Sequence, residues 1–268
     1  MDDLSKFLET HKNIAKIFSK EWFESELQKP PETMHVLAKQ FTFEDTSHDN
    51  SISCHLFDHL EEYLETLEVE IREKGSISRK LTTSKDYPDT IGQIEICCFF
   101  KKLGFNVELE PKVPDSEKIS DIKISKEEST AYIEVKTLRE RPGRIIQKSG
   151  PIIISELNFH PKPTIIDKIK DKSQQLSKNH AGIIVICQDD SIPQMSHIEY
   201  PFREIAHEIP IVSGLMLYYH SYGPNGCFKI LRLICNPFAT NSIPTHFLEI
   251  FLSEGVDVTT CKYDDFSE

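Results

Sequence analysis

Apolar residues recur at helical spacing over the first third of the chain and alternate in its middle, so the sequence changes period near residue 105. Leu4, Phe7, Leu8, Ile14, Ile17, Phe18 and Trp22 form one helical series. Leu56, Phe57, Leu60, Leu64, Leu67 and Ile71 form another, ahead of a stop at Gly75. Both read as amphipathic helices with acidic outer faces. The polar "FTFEDTSHDNSIS" between them reads as a loop, and "GSISRKLTTSKDYPD" as a linker. A further helix is predicted over "DTIGQIEICCFFKKLGF". Pro88 precedes it, Thr90 and Gln93 match a capping box, Lys101 and Lys102 suit its last turn, and Gly104 supplies the stop.

Beyond Gly104 the alternating stretches "FNVELE", "SDIKIS" and "AYIEVKTL" predict three strands. Residues 164–178 are helical in pattern, with Ile165, Ile166, Ile169 and Leu176 on one side and Lys168, Lys172 and Gln175 on another. "AGIIVICQ" is apolar throughout, which suits a buried parallel strand. "GLMLYYH" and "CFKILRLIC" flank the turn-rich "SYGPNG" and predict a second hairpin. "DVTTCKYDDFSE" reads as an acidic, weakly ordered tail. The expected organisation is an α/β chain: a helical module and linker in residues 1–85, an α/β core in 86–240 and a carboxy-terminal extension in 241–268.

Composition narrows the function classes. The 268 residues, 38% of them hydrophobic, suit one large domain or a core with an appended module. No apolar run approaches a membrane span, and the charged start "MDDLSKFLETHKNIAK" lacks a signal-peptide core, so a cytoplasmic location is expected. Seven cysteines without a Cys-x-x-Cys pair and eleven scattered histidines point to neither a disulfide framework nor a zinc knot. The net charge of −12 opposes general affinity for a polyanion. Residues 139–178 differ, with nine Arg or Lys against four acids.

That basic region follows "DIKISKEESTAYIEVK", where the chemistry concentrates. A turn over residues 126–129 sets Ser125 opposite Thr130 and therefore Asp121 opposite Glu134. Like charges on opposed strand positions destabilise a sheet unless something neutralises them, and a divalent cation would do so. Side chains alternate, so Lys136 shares a strand face with Glu134. Two carboxylates with an adjacent ammonium suit magnesium-assisted phosphodiester hydrolysis. An ordinary hairpin with a solvated Glu and Lys face is the plain alternative. Glu95, set among Ile91, Cys98 and Phe99 on its helix, is poorly placed for a solvating carboxylate.

Across residues 86–188, "IGQIEICCFFKKLGFNVELEP", "SDIKI", "YIEVKT", the Lys- and Gln-bearing helix and "AGIIVIC" together resemble the PD-(D/E)xK nuclease superfamily, the restriction-endonuclease-like fold. The resemblance implies a mixed-sheet core flanked by helices, with Asp121 and Glu134 as metal ligands. It also implies the main-chain carbonyl of Val135 as a further ligand, Lys136 as the catalytic lysine and Glu95 as a supporting helix glutamate. Ser120 stands where that family often has proline, while a literal Pro-Asp occurs at Pro114 and Asp115. Pairing Asp115 with Glu134 would centre the turn inside an alternating strand, so Asp115 is expected in a connecting loop.

The resulting expectation is an Mg2+-dependent nuclease, with Mn2+ as a possible substitute, acting on nucleic acid and foremost on DNA. Lys168, Lys172 and Gln175 are expected to face the phosphate backbone. The amino-terminal helices could recognise a target, form a homodimer or bind a protein partner. The alternatives are a catalytically inactive nuclease-fold protein that binds nucleic acid or acts as a scaffold, and a regulatory interaction protein.

Overall fold

The computed structural model describes residues 3–44, 51–138, 162–189, 196–223 and 226–261. The chain divides into two units, Met1–Glu110 with Tyr222–Gly226, and Pro111–Ser221 with Cys227–Glu268.

The first unit contains α1 (Asp3–Thr10), α2 (Lys12–Ile17), α3 (Lys20–Leu27), α4 (Val36–Glu44), α5 (Ser51–Thr66), α6 (Glu68–Glu73), α7 (Gly75–Leu81), α8 (Tyr87–Lys102) and β1 (Asn106–Leu109). The first periodic stretch is broken by local capping. Glu61 accepts the backbone N–H of Asn13 and Ile14 at the start of α2, and Ser19 Oγ accepts Trp22 N–H at the start of α3.

Two predicted irregular segments are corrected. α4 runs through "FTFE", with residues 45–50 outside the described residues, and α7 occupies the start of the predicted linker. Ile77 and Leu81, one turn apart in α7, are fully buried, and that burial outweighs a polar composition. The Thr90–Gln93 capping box does not form either. α8 begins earlier, with Pro88 in its first turn, and Thr90 Oγ1 donates to Asp86 O from inside the helix. Its end is as predicted, with Lys101 and Lys102 in the last turn, paired with Glu70 and Glu62, and Gly104 at φ 78°. α8, expected to open the α/β core, groups with the amino-terminal helices.

The second unit contains β2 (Ile122–Lys126), β3 (Ser129–Leu138), α9 (Lys162–Ser173), β4 (Ala181–Asp189), α10 (Ser196–Ile205), β5 (Gly214–Gly223), β6 (Gly226–Cys235), α11 (Thr245–Ser253) and β7 (Asp257–Thr260). Its strands lie in sequence order from β2 to β7. β2 is antiparallel to β3, β4 is parallel to both β3 and β5, and β7 is parallel to β6, giving a mixed α/β sheet.

β4 is the buried parallel strand that its apolar run predicts, with Ile183, Ile184 and Val185 inaccessible. Gly182 has no room for a side chain, because a Cβ there would lie 2.8 Å from Ile211 O and 2.8 Å from Leu176 Cδ1. β5 and β6 are neighbours, as the second hairpin requires, and residues 224–225 of its turn lie outside the described residues. Asp257–Thr260 is a paired strand where a weakly ordered tail was predicted, and residues 262–268 lie outside the described residues. α9 stops five residues short of its predicted end.

The hairpin register follows the sequence expectation: Ser125 pairs with Thr130 and Ile122 with Ile133. The turn is tighter than predicted, because Lys126 and Ser129 still pair and leave only Glu127 and Glu128 between them. Both turns share a centre, so the register is unchanged. Glu127 has φ 54°, a region that costs an ordinary side chain but suits Asn. Glu127→Asn is expected to raise stability by about 0.5 kcal/mol in urea unfolding. An unchanged or lower midpoint would contradict this account of the turn.

Candidate functional site

β3 is continuous from Ser129 to Leu138, with Tyr132, Glu134 and Lys136 on one face and Ile133 and Val135 on the other. Tyr132 belongs to the core built with Ile165, Ile169 and Leu176, so Glu134 projects on the side covered by α9. Its residue is 0% exposed. Continuing the ladder one position beyond Ile122 and Ile133 brings Asp121 opposite Glu134.

Each carboxylate accepts a backbone N–H at that point. Asp121 N–H donates to Glu134 Oε1 at 3.1 Å, and Val135 N–H donates to Asp121 Oδ2 at 2.8 Å. Each carboxylate is thereby fixed by the main chain at the end of the hairpin. Ser120 Oγ, fully buried, donates to Ile133 O at 3.0 Å and secures the entry to β2.

The neutralising charge comes from within the chain. Lys172 Nζ lies 2.7 Å from Asp121 Oδ2 and 2.9 Å from Glu134 Oε2, so one ammonium bridges both carboxylates. Burial, and then the charge of Asp121, push the Glu134 carboxyl up to about 7, against the opposing pull of Lys172. Burial works to lower the Lys172 pKa, but the two carboxylates outweigh it and hold it above the ordinary lysine value.

Lys172 was expected on a stripe facing a phosphate backbone, and the structure turns it inward instead. The signal was present in the sequence. Ile165, Ile169, Lys172 and Leu176 are spaced i, i+4, i+7 and i+11, a single helix stripe, and the three apolar members are buried. A lysine in a core stripe points at something.

The other predicted residues are distributed as follows. Lys136 is half-buried on β3, opposite Ile186 of β4. Lys168 is half-buried on α9, and Gln175 lies past the end of that helix, where its N–H donates to Lys172 O. Glu95 belongs to the first unit, is 5% exposed, and accepts a hydrogen bond from Tyr63 Oη at 2.8 Å. Asp115 lies in the loop before β2, as expected. Its Oδ2 accepts Lys178 N–H at 2.6 Å and Ser177 Oγ–H at 3.3 Å, tying that loop to the turn after α9.

Part of the basic region serves internal contacts, since Lys170 pairs with Glu208 at 2.7 Å and Lys172 with the acid pair. Arg139, Arg141, Arg144 and Lys148 lie outside the described residues.

Among the described residues, no group of three or more His, Cys, Asp or Glu side chains is placed to hold a metal ion. No helix among them is long and apolar enough to cross a membrane. No protein-family model, curated protein or solved structure matches the chain.

Proposed function

We propose that the chain is a metal-dependent nuclease of the restriction-endonuclease-like fold, hydrolysing phosphodiester bonds in nucleic acid and foremost in DNA. The observation that carries this reading is the opposed Asp121–Glu134 pair, with each carboxylate held by a backbone N–H (Val135 to Asp121, Asp121 to Glu134) and Lys136 on the Glu134 face of the same strand.

The residues fit a divalent cation. A buried and a half-buried acid gathered around one positive group are a donor set for a hard ion, and magnesium is commonly held by one or two carboxylates with waters completing its shell. Asp121 and Glu134 would hold it, with the main-chain carbonyl of Val135 as a further donor. Bound there, the ion would stabilise negative charge developing on the scissile phosphate. Lys136 would orient the attacking water and assist its deprotonation. Lys168 and Gln175 would contact the phosphate backbone.

A second reading has its own support. Because Lys172 already bridges the acid pair and offsets part of its charge, the chain could keep a nuclease-like fold as a nucleic-acid-binding or scaffold protein without catalysis. Incubation of the full chain with linear, circular, single-stranded and branched DNA, and with RNA, in Mg2+ or Mn2+ distinguishes the two. Cleavage of at least one substrate, stopped by EDTA and lost in Lys136→Ala, is expected. Binding to nucleic acid without metal-dependent cleavage would favour the second reading.

A further inference from the structure

The acid pair holds a cation of its own, and its placement is built into the fold. Lys172 lies on the buried stripe of α9 with Ile165 and Ile169, with Leu176 buried just past the end of the helix, and its side chain is 17% exposed. Its ammonium contacts Asp121 Oδ2 and Glu134 Oε2, and one oxygen of each carboxylate is also held by a backbone N–H, Asp121 Oδ2 by Val135 and Glu134 Oε1 by Asp121. A divalent ion binding between the carboxylates would compete with Lys172 for the same acid pair. An ion and the ammonium held at that pair together would repel strongly, because their charges would lie at contact distance in a poorly hydrated site.

We propose that Lys172 is an internal competitor for the metal: its ammonium holds the acid pair together when no divalent ion is bound, and the ion displaces it. This rests on the metal-site reading above. The lysine carries its charge on a flexible four-carbon stem, so the ammonium can leave the carboxylates while the stem stays packed on α9 and the backbone stays in place. Metal affinity is therefore lower than the bare carboxylates would give. Displacement also changes what Lys172 can do. The freed ammonium becomes a donor beside the metal, where an anionic oxygen of a phosphodiester would be the next partner. Metal arrival thus converts an internal counter-ion into a substrate contact, and metal and polyanion are expected to strengthen each other's binding.

Calorimetry with Mn2+ alone, on the full chain at fixed pH, tests this with wild type, Lys172→Met and Lys172→Arg. Lys172→Met is expected to bind Mn2+ about tenfold more tightly than wild type, within the usual range for coupled sites. Lys172→Arg, which keeps the positive charge, should bind no more tightly than wild type. Binding by the Met variant when wild type shows none would support the proposal equally. A Met variant that binds no more tightly than wild type overturns the competition and leaves the metal site standing, whereas absence of Mn2+ binding in both overturns both.

A second measurement uses the wild-type chain and so does not depend on the variants folding. Lys172 acetylation by an amine-reactive reagent, followed by mass spectrometry, should be slow without metal and several-fold faster with Mg2+. An unchanged rate in Mg2+-loaded protein would show that the ammonium is never displaced.

Discussion

Lys136→Met is expected to slow nucleic-acid hydrolysis by roughly two to four orders of magnitude while leaving folding and Mn2+ affinity near wild type. Lys136 lies two positions beyond Glu134 on the same face of β3, the placement from which its role toward the attacking water is proposed. Methionine keeps most of the aliphatic stem and removes only the charge and donors. Asp121→Asn should fall at least as far, but with loss of Mn2+ binding, because it removes a proposed ligand. Single-turnover rates beside calorimetry separate the two effects. Wild-type turnover in Lys136→Met would place any hydrolysis elsewhere and favour the non-catalytic reading.

Glu134→Gln is expected to change how stability depends on pH. Burial and the neighbouring Asp121 raise the Glu134 carboxyl from the ordinary 4.5 to about 7. The folded state therefore holds this proton to higher pH than the unfolded chain does. The corresponding stability is fully present below about pH 4.5 and is lost as pH rises through about 7. At about 1.4 kcal/mol per pH unit, the loss reaches about 3 kcal/mol. Glutamine cannot ionise, so metal-free Glu134→Gln should exceed wild type at pH 8 by up to that amount, reduced by the partner Lys172 loses. Near pH 4.5 the two should be similar. Urea unfolding in EDTA at both pH values measures the difference, and parallel pH profiles would contradict the assignment of the titration to Glu134.

The hairpin was legible in the sequence because strand alternation and a single turn centre fix every pairing, including the opposition of Asp121 and Glu134. β4 was legible because a short run apolar on both faces has few other places to go. Elements whose formation depends on distant contacts were harder to see. α7 is polar in composition and owes its helix to two buried residues, Ile77 and Leu81. β7 is four residues long and depends on pairing with β6. α10 carries Pro201 inside it, a residue that argues for a break. Lys172 escaped for a different reason: its charge suggested solvent, although its spacing from Ile165, Ile169 and Leu176 placed it inward. Tyr63, the Glu95 partner, is 32 residues away in sequence, and no local pattern links them.

The tight turn at Glu127 and Glu128 also determines where the chain can change length. Extra residues at that tip would enlarge a loop beyond the Lys126–Ser129 pair and leave the five pairings between β2 and β3 untouched. One residue inserted between Ile122 and Lys126 would instead bring Ile122 opposite Glu134 and send the Asp121 carboxylate to the other face of the sheet. Homologues that keep the acid pair should therefore differ in length at the tip of this hairpin, while the interval from Asp121 to Lys126 and that from Ser129 to Glu134 stay constant.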